Sequence, residues 1–112
     1  MICLLPLLAQ SLALEAAGLL QNGDFEQGVV GWQNQGGSLS SVTSPVHGGQ
    51  QAGALYSADL RAKWVYQTVS ALPGETYTFS GWALRSDPGI GQLLLRLTWL
   101  DAGGGEVPGR AD

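Results

Sequence analysis

After residue 20 the chain reads as short runs of alternating side chains cut apart by Gly, Pro, Asn and Asp, with no sustained helical period. That pattern confines it to strands and turns. Strands are expected over residues 38–43, 52–57, 63–70, 76–85 and 92–101. In 63–70, Trp64, Tyr66 and Thr68 share one face and Val65, Gln67 and Val69 the other, because successive strand side chains point to opposite sides. In 76–85, Tyr77, Phe79, Gly81 and Ala83 alternate with Thr78, Ser80, Trp82 and Leu84. Leu72-Pro73-Gly74-Glu75 between them fits a type II turn: proline fixes φ at its second position and glycine permits positive φ at its third. Residues 92–101 are leucine-rich enough for a helix. Their glycine-rich flanks favour a strand with Leu93, Leu95, Leu97 and Trp99 on one face. A glycine turn over 102–106 leads to Val107, which should open a further strand with no hairpin partner before Asp112. Many short strands with turns at this spacing indicate an all-β sandwich or jelly roll.

Composition narrows the partners. Hydrophobic residues make up 45% of 112, enough for one core, and charged residues only 12%, too few for a disordered polyelectrolyte. Seventeen glycines occur without a three-residue period, so collagen is excluded. Five basic against nine acidic residues give a net charge of −4. That leaves no electrostatic footprint for nucleic acid and no polybasic patch for anionic lipid. One His and one Cys exclude a zinc site built on several such side chains, and any internal disulfide.

The first fourteen residues (MICLLPLLAQSLAL) carry no charge and are mostly apolar. The run is too short to span a bilayer, which takes ~20 apolar residues. It fits the apolar region of a secretory signal peptide spanning residues 1–13, with small residues placing cleavage after Ala13, although no Lys or Arg precedes it. An N-terminal strand or helix is the alternative. Export implies a secreted or cell-surface protein. Cys3 is too far from the cleavage point to be a lipidation site.

Several motifs follow one another in a recognisable order: Asn22-Gly23-Asp24-Phe25-Glu26, Gly31-Trp32, Gly48-Gly49, Gln67-x-Val69, Leu72-Pro73-Gly74-Glu75-x-Tyr77-x-Phe79-Ser80-x-Trp82 and Trp99-Leu100-Asp101-Ala102-x-Gly104. Together they resemble the galactose-binding-like jelly-roll carbohydrate-binding modules of bacterial cellulases and xylanases. The resemblance spans roughly residues 19–107 and places a partial β-sandwich domain over 19–112. That family closes its sandwich with further C-terminal strands ending in an acidic motif. No counterpart is present here, so the resemblance implies a copy missing its last strands. It also implies a structural calcium at the edge of the sandwich. The ligands would be Glu26 or Asp24 and the loop of His47, Gly48, Gly49 and Gln50, with no counterpart for the family's C-terminal Asp. The residue-level alternative is that Asn22 and Asp24 only shape a turn.

Catalytic constellations are poorly represented. The lone His47 lies in a Pro45-to-Gly49 loop, and no Gly-x-Ser-x-Gly elbow occurs. Asp59, Asp87, Asp101 and Glu106 fall mostly at strand ends or turns, where carboxylates are solvated, and Gly89-Ile90-Gly91 lacks the third glycine of a dinucleotide fingerprint. Aromatics are the better lead, since sugar rings lay apolar C–H faces on stiff aromatic surfaces. Trp32, Tyr77, Phe79 and Trp99 read as core, and Trp82 occupies a position that is structural in the resembling family. Trp64 and Tyr66, beside Arg61 and Lys63, form a candidate platform, with Gln92 and Arg96 as hydrogen-bonding neighbours if their strand lies alongside. The expected function is a secreted, non-catalytic module binding a poly- or oligosaccharide, attached to a larger host protein. The alternative is a structural or adhesive sandwich domain without sugar affinity.

Overall fold

The computed structural model describes residues 2–10, 19–84 and 87–112. The expected cleavage point after Ala13, and Arg85 at the end of the 76–85 run, lie outside them. Among the described residues the protein is all-β, with no helix. Its strands are β1 (Ile2–Gln10), β2 (Gln33–Gln35), β3 (Ser38–Val42), β4 (Ala52–Tyr56), β5 (Trp64–Tyr66), β6 (Thr78–Leu84), β7 (Leu97–Leu100) and β8 (Glu106–Ala111). They form a four-stranded sheet in the order β3-β4-β1-β6, a β2-β5 ribbon and a β7-β8 hairpin. All the pairings are antiparallel.

The core is small and sits under the first sheet. The Phe25 and Trp32 rings stack at 4.9 Å and 18°, and both are buried with Ala52, Ala54 and Leu55 of β4. Leu20, Leu39, Val65 and Phe79 pack against the stacked pair, so it joins the large sheet to the β2-β5 ribbon. Asn22 closes the segment that carries both rings. Its Nδ2 donates to the Gly28 and Val30 carbonyls at 3.0 and 2.9 Å, and its Oδ1 accepts from Gln27 N at 2.9 Å. Its own carbonyl accepts from Trp32 Nε1 at 2.8 Å. Asn22 does this at φ +52°, a left-handed conformation that asparagine tolerates better than most residues. Phe25 also sits at positive φ, +60°, where a bulky residue is strained by ~1–3 kcal/mol. Burial of its ring, with the Trp32 stack, offsets that strain.

The strands at 38–42, 52–56 and 78–84 lie where alternation and turn residues place them. Along β6, Phe79 is half-buried while Thr78, Ser80 and Trp82 face out. The expected type II turn is present: Gly74 has φ +82°, Glu75 N donates to the Leu72 carbonyl, and Tyr77 Oη accepts from Leu72 N at 2.8 Å.

Four expectations are corrected. The 63–70 run is strand only over Trp64–Tyr66, because its partner β2 has three residues and ends at the Gly36-Gly37 turn. β2, Gln33-Asn34-Gln35, lies outside the runs that alternation marks as strand: it has no apolar residue to signal a buried face. Residues 92–96 are not strand, and β7 starts at Leu97. Leu93 is half-buried and Leu95 exposed, so the expected single leucine face breaks up. Val107 does not await a partner. β8 is the return strand of β7, with Val107 opposite Trp99 and Glu106 opposite Leu100. The turn is tightened by Asp101, whose Oδ1 accepts from Gly103 N and Gly105 N at 2.9 and 2.8 Å.

Candidate functional site

β5 carries two aromatics outward and one apolar residue inward. Trp64 and Tyr66 are 51% and 39% exposed, whereas Val65 packs on the Phe25–Trp32 core. Period-2 alternation causes this: fixing Val65 inside forces its neighbours out. Their separation along the strand is two rises, ~6.5–7 Å. In the ladder Gln35 stands opposite Trp64 and Gln33 opposite Tyr66. Residues directly opposite share a face, so two exposed glutamines flank the two rings. Sequence reasoning missed Gln33 and Gln35. The available signal was the Gln-x-Gln spacing ahead of Gly36-Gly37, which matches the Trp-x-Tyr spacing of its partner.

Two further contacts hold β5 in place. Gln67, the next residue, accepts from Gln21 N at 2.7 Å and donates through Nε2 to the Gln21 carbonyl at 2.9 Å. On the other side, Lys63 Nζ donates to Asp59 Oδ1 at 2.5 Å and to the Arg61 carbonyl at 3.1 Å. Arg61 N also donates to Asp59 Oδ1, at 2.9 Å. The Lys63 hydrogen bond, then the Arg61 amide, holds the Asp59 carboxyl below its usual range. The Arg61 side chain itself is largely solvent-exposed.

Trp64, Tyr66, Gln92 and Arg96 all line one broad, open cleft of about 1960 Å³, as do Leu60 and Leu72. Gln92 and Arg96 are brought to this cleft, but not as neighbours in a ladder with β5, whose partner is β2. Gln92 is exposed. Arg96 is engaged by Asp112, donating through Nε to Oδ1 at 2.5 Å and through Nη2 to Oδ2 at 2.8 Å. This bidentate pair lowers the Asp112 carboxyl and raises the Arg96 guanidinium.

Glu26 meets the 47–50 loop, but through donors. Its Oε1 accepts from Gln50 N at 2.8 Å and Gln51 N at 3.2 Å, and its carbonyl accepts from Gln51 Nε2 at 3.1 Å. Gly49, at φ +65°, leaves room for the carboxylate: a Cβ there would strike Oε1. Asp24 Oδ1 accepts from Glu26 N at 3.1 Å, the Asx turn that the residue-level alternative describes. The two backbone groups that meet Oε1 are the Gln50 and Gln51 amides. Glu26 thus clips the end of the loop of His47, Gly48, Gly49 and Gln50 through backbone amides, while Asp24 shapes the turn before it. No group of three or more His, Cys, Asp or Glu that could hold a metal occurs among the described residues.

Of the aromatics expected in the core, Trp32 is buried and Tyr77, Phe79 and Trp99 are half-buried, with Tyr77 and Trp99 meeting edge to face at 6.1 Å. Trp82 is 54% exposed and stacks on His47 at 4.1 Å and 13°. It pins the loop before β4 to the outer side of the sheet.

Among the described residues no helix is long and apolar enough to cross a membrane. No protein family, curated protein or solved structure matches the chain.

Proposed function

We propose that this chain is a non-catalytic carbohydrate-binding module of the galactose-binding-like jelly-roll type, acting outside the cell and attached to a larger host. The observation that carries this reading is the outward pair Trp64 and Tyr66, flanked by Gln33 and Gln35 on one face of the β2-β5 ribbon. Two stiff rings ~7 Å apart along a strand can each take the apolar face of a sugar unit in a β-linked chain. The glutamine amides supply both donors and acceptors to its hydroxyls. Affinity is modest, because each hydroxyl hydrogen bond returns only ~1 kcal/mol net. Gln92 and Arg96 serve a longer oligosaccharide reaching into the adjacent cleft. Retention on insoluble β-glucan or xylan tests the reading: Trp64→Ala should abolish it with the melt unchanged. Wild-type protein that is retained on no neutral polysaccharide would overturn it.

The open cleft favours a second reading. Leu60 is 95% and Leu72 69% exposed, and both line it; large apolar side chains left in solvent around one cleft suit a protein partner. A structural or adhesive domain would use the cleft and leave Trp64 dispensable. Export is the common premise of both. It predicts that secreted protein begins at Leu14, and N-terminal sequencing that finds Met1 would refute it.

A further inference from the structure

One of the two interior positions in the four-stranded sheet is held by the strand least suited to it. β1 lies between β4 and β6, antiparallel to both. Its ladder with β4 covers only Ile2, Cys3 and Leu4, opposite Leu55, Ala54 and Gly53. Its ladder with β6 runs over Cys3–Leu4 and Leu7–Gln10 and shifts register between Leu4 and Leu7. That break contains Pro6, which has no N–H to give and is ordinarily confined to edge strands. Among the described residues β6 has no other partner in its sheet, whereas β4 is fully paired with β3 on its far side.

Withdrawing β1 would therefore leave a slot two strand spacings wide, ~9.5 Å. The facing edges of β4 and β6 would expose unpaired N–H and C=O groups, a ready template for another strand. The seated strand shows what the slot takes: a nine-residue uncharged, mostly apolar segment running antiparallel to both walls. A second copy of this chain carries that segment in the right register. The contacts are the same whether the strand comes from home or from a neighbour, so concentration decides between them.

We propose that, in the uncleaved chain that keeps residues 1–13, the β4-β6 slot is a strand-exchange site, filled in concentrated protein by Ile2–Gln10 of a second copy to give a reciprocally swapped dimer. The chain's only cysteine reports on it. Cys3 is opposite Ala54 on one side and Leu84 on the other. In a central antiparallel strand a residue forms a hydrogen-bonded pair with one neighbour and the closer, non-hydrogen-bonded pair with the other. Both Cα separations lie within disulfide range.

The test uses the full-length chain carrying Ala54→Cys or Leu84→Cys, refolded dilute and concentrated before oxidation. Dilute protein should give the intrachain disulfide to Cys3. Concentrated protein should give a dimer in which peptide mapping finds the same disulfide between chains. Intrachain disulfide alone at every concentration would overturn the proposal. So would dimers joined only through Cys3 to Cys3, or no disulfide to Cys3 in either variant. If neither variant folds, sedimentation of the unsubstituted chain decides: a dimer that grows with refolding concentration under reducing conditions supports exchange, and a persistent monomer refutes it.

Discussion

Gln67 grips Gln21 by both of its backbone groups, accepting from the N–H and donating to the carbonyl. One side-chain amide thus stands in for a strand neighbour just past the end of β5. Removing it in Gln67→Ala frees two backbone groups at an exposed position. At ~1 kcal/mol or less per hydrogen bond, the expected loss is about 1–2 kcal/mol by urea unfolding, with no change in slope.

The Trp64 ledge and the Trp32 core should separate cleanly on substitution. Trp64→Ala, at a half-exposed outward position, should alter stability by ~0.5 kcal/mol or less while removing polysaccharide retention. Gln35→Ala should weaken retention without removing it. Trp32→Ala empties one side of the Phe25 stack and should cost ~3–5 kcal/mol, which calorimetry would register as loss of a cooperative transition.

Glu26→Ala leaves Gln50 N and Gln51 N without their acceptor. A clip predicts a cost of about 1–3 kcal/mol, equal with calcium and with chelator present. A melting temperature that rises with calcium in the wild type but not in Glu26→Ala would instead show that the loop turns carbonyl oxygens to a bound cation.

Acid should loosen both ends of the chain's ion-pair set. Asp112 is lowered by Arg96, and Asp59 by Lys63, from an ordinary value of 3.8. A depressed carboxyl stabilises the fold at pH above its unfolded value, and that stabilisation fades as pH falls through the folded one. Stability should therefore be level above about pH 5 with respect to these groups and decline below 3.8. Asp112→Asn should flatten part of that decline. Both carboxylates are solvent-exposed, so added salt should shrink the effect.

The strands that carry a buried face were legible because burial imposes a period: Phe79 half-buried between outward Thr78 and Ser80 is what alternation reads as. β2 was not legible, since both its faces are polar and only its pairing to β5 makes it a strand. Trp64 and Tyr66 on one face followed from spacing alone. Their neighbours did not, because which strand lies alongside is decided by tertiary packing, and the choice fell on Gln33 and Gln35. Glu26 reaches Gln50 at the end of the 47–50 loop through a backbone amide, a contact whose donor and acceptor sense depends on backbone orientation, which residue types do not encode. Val107 shows no partner in the sequence because a return strand after a tight glycine turn has the same residue pattern as the start of a new hairpin.

The Phe25 ring packs against Gly53 so closely that a Cβ there would come within 2.6 Å of its Cε1. Neither position can change first without loss. Any side chain at 53 displaces the ring, and a smaller residue at 25 leaves a void beside Trp32 that the bare glycine cannot fill. In a lineage of this sequence the two sites should drift only as a pair, so an alignment in which 53 varies freely against a constant Phe25 would not describe the same fold.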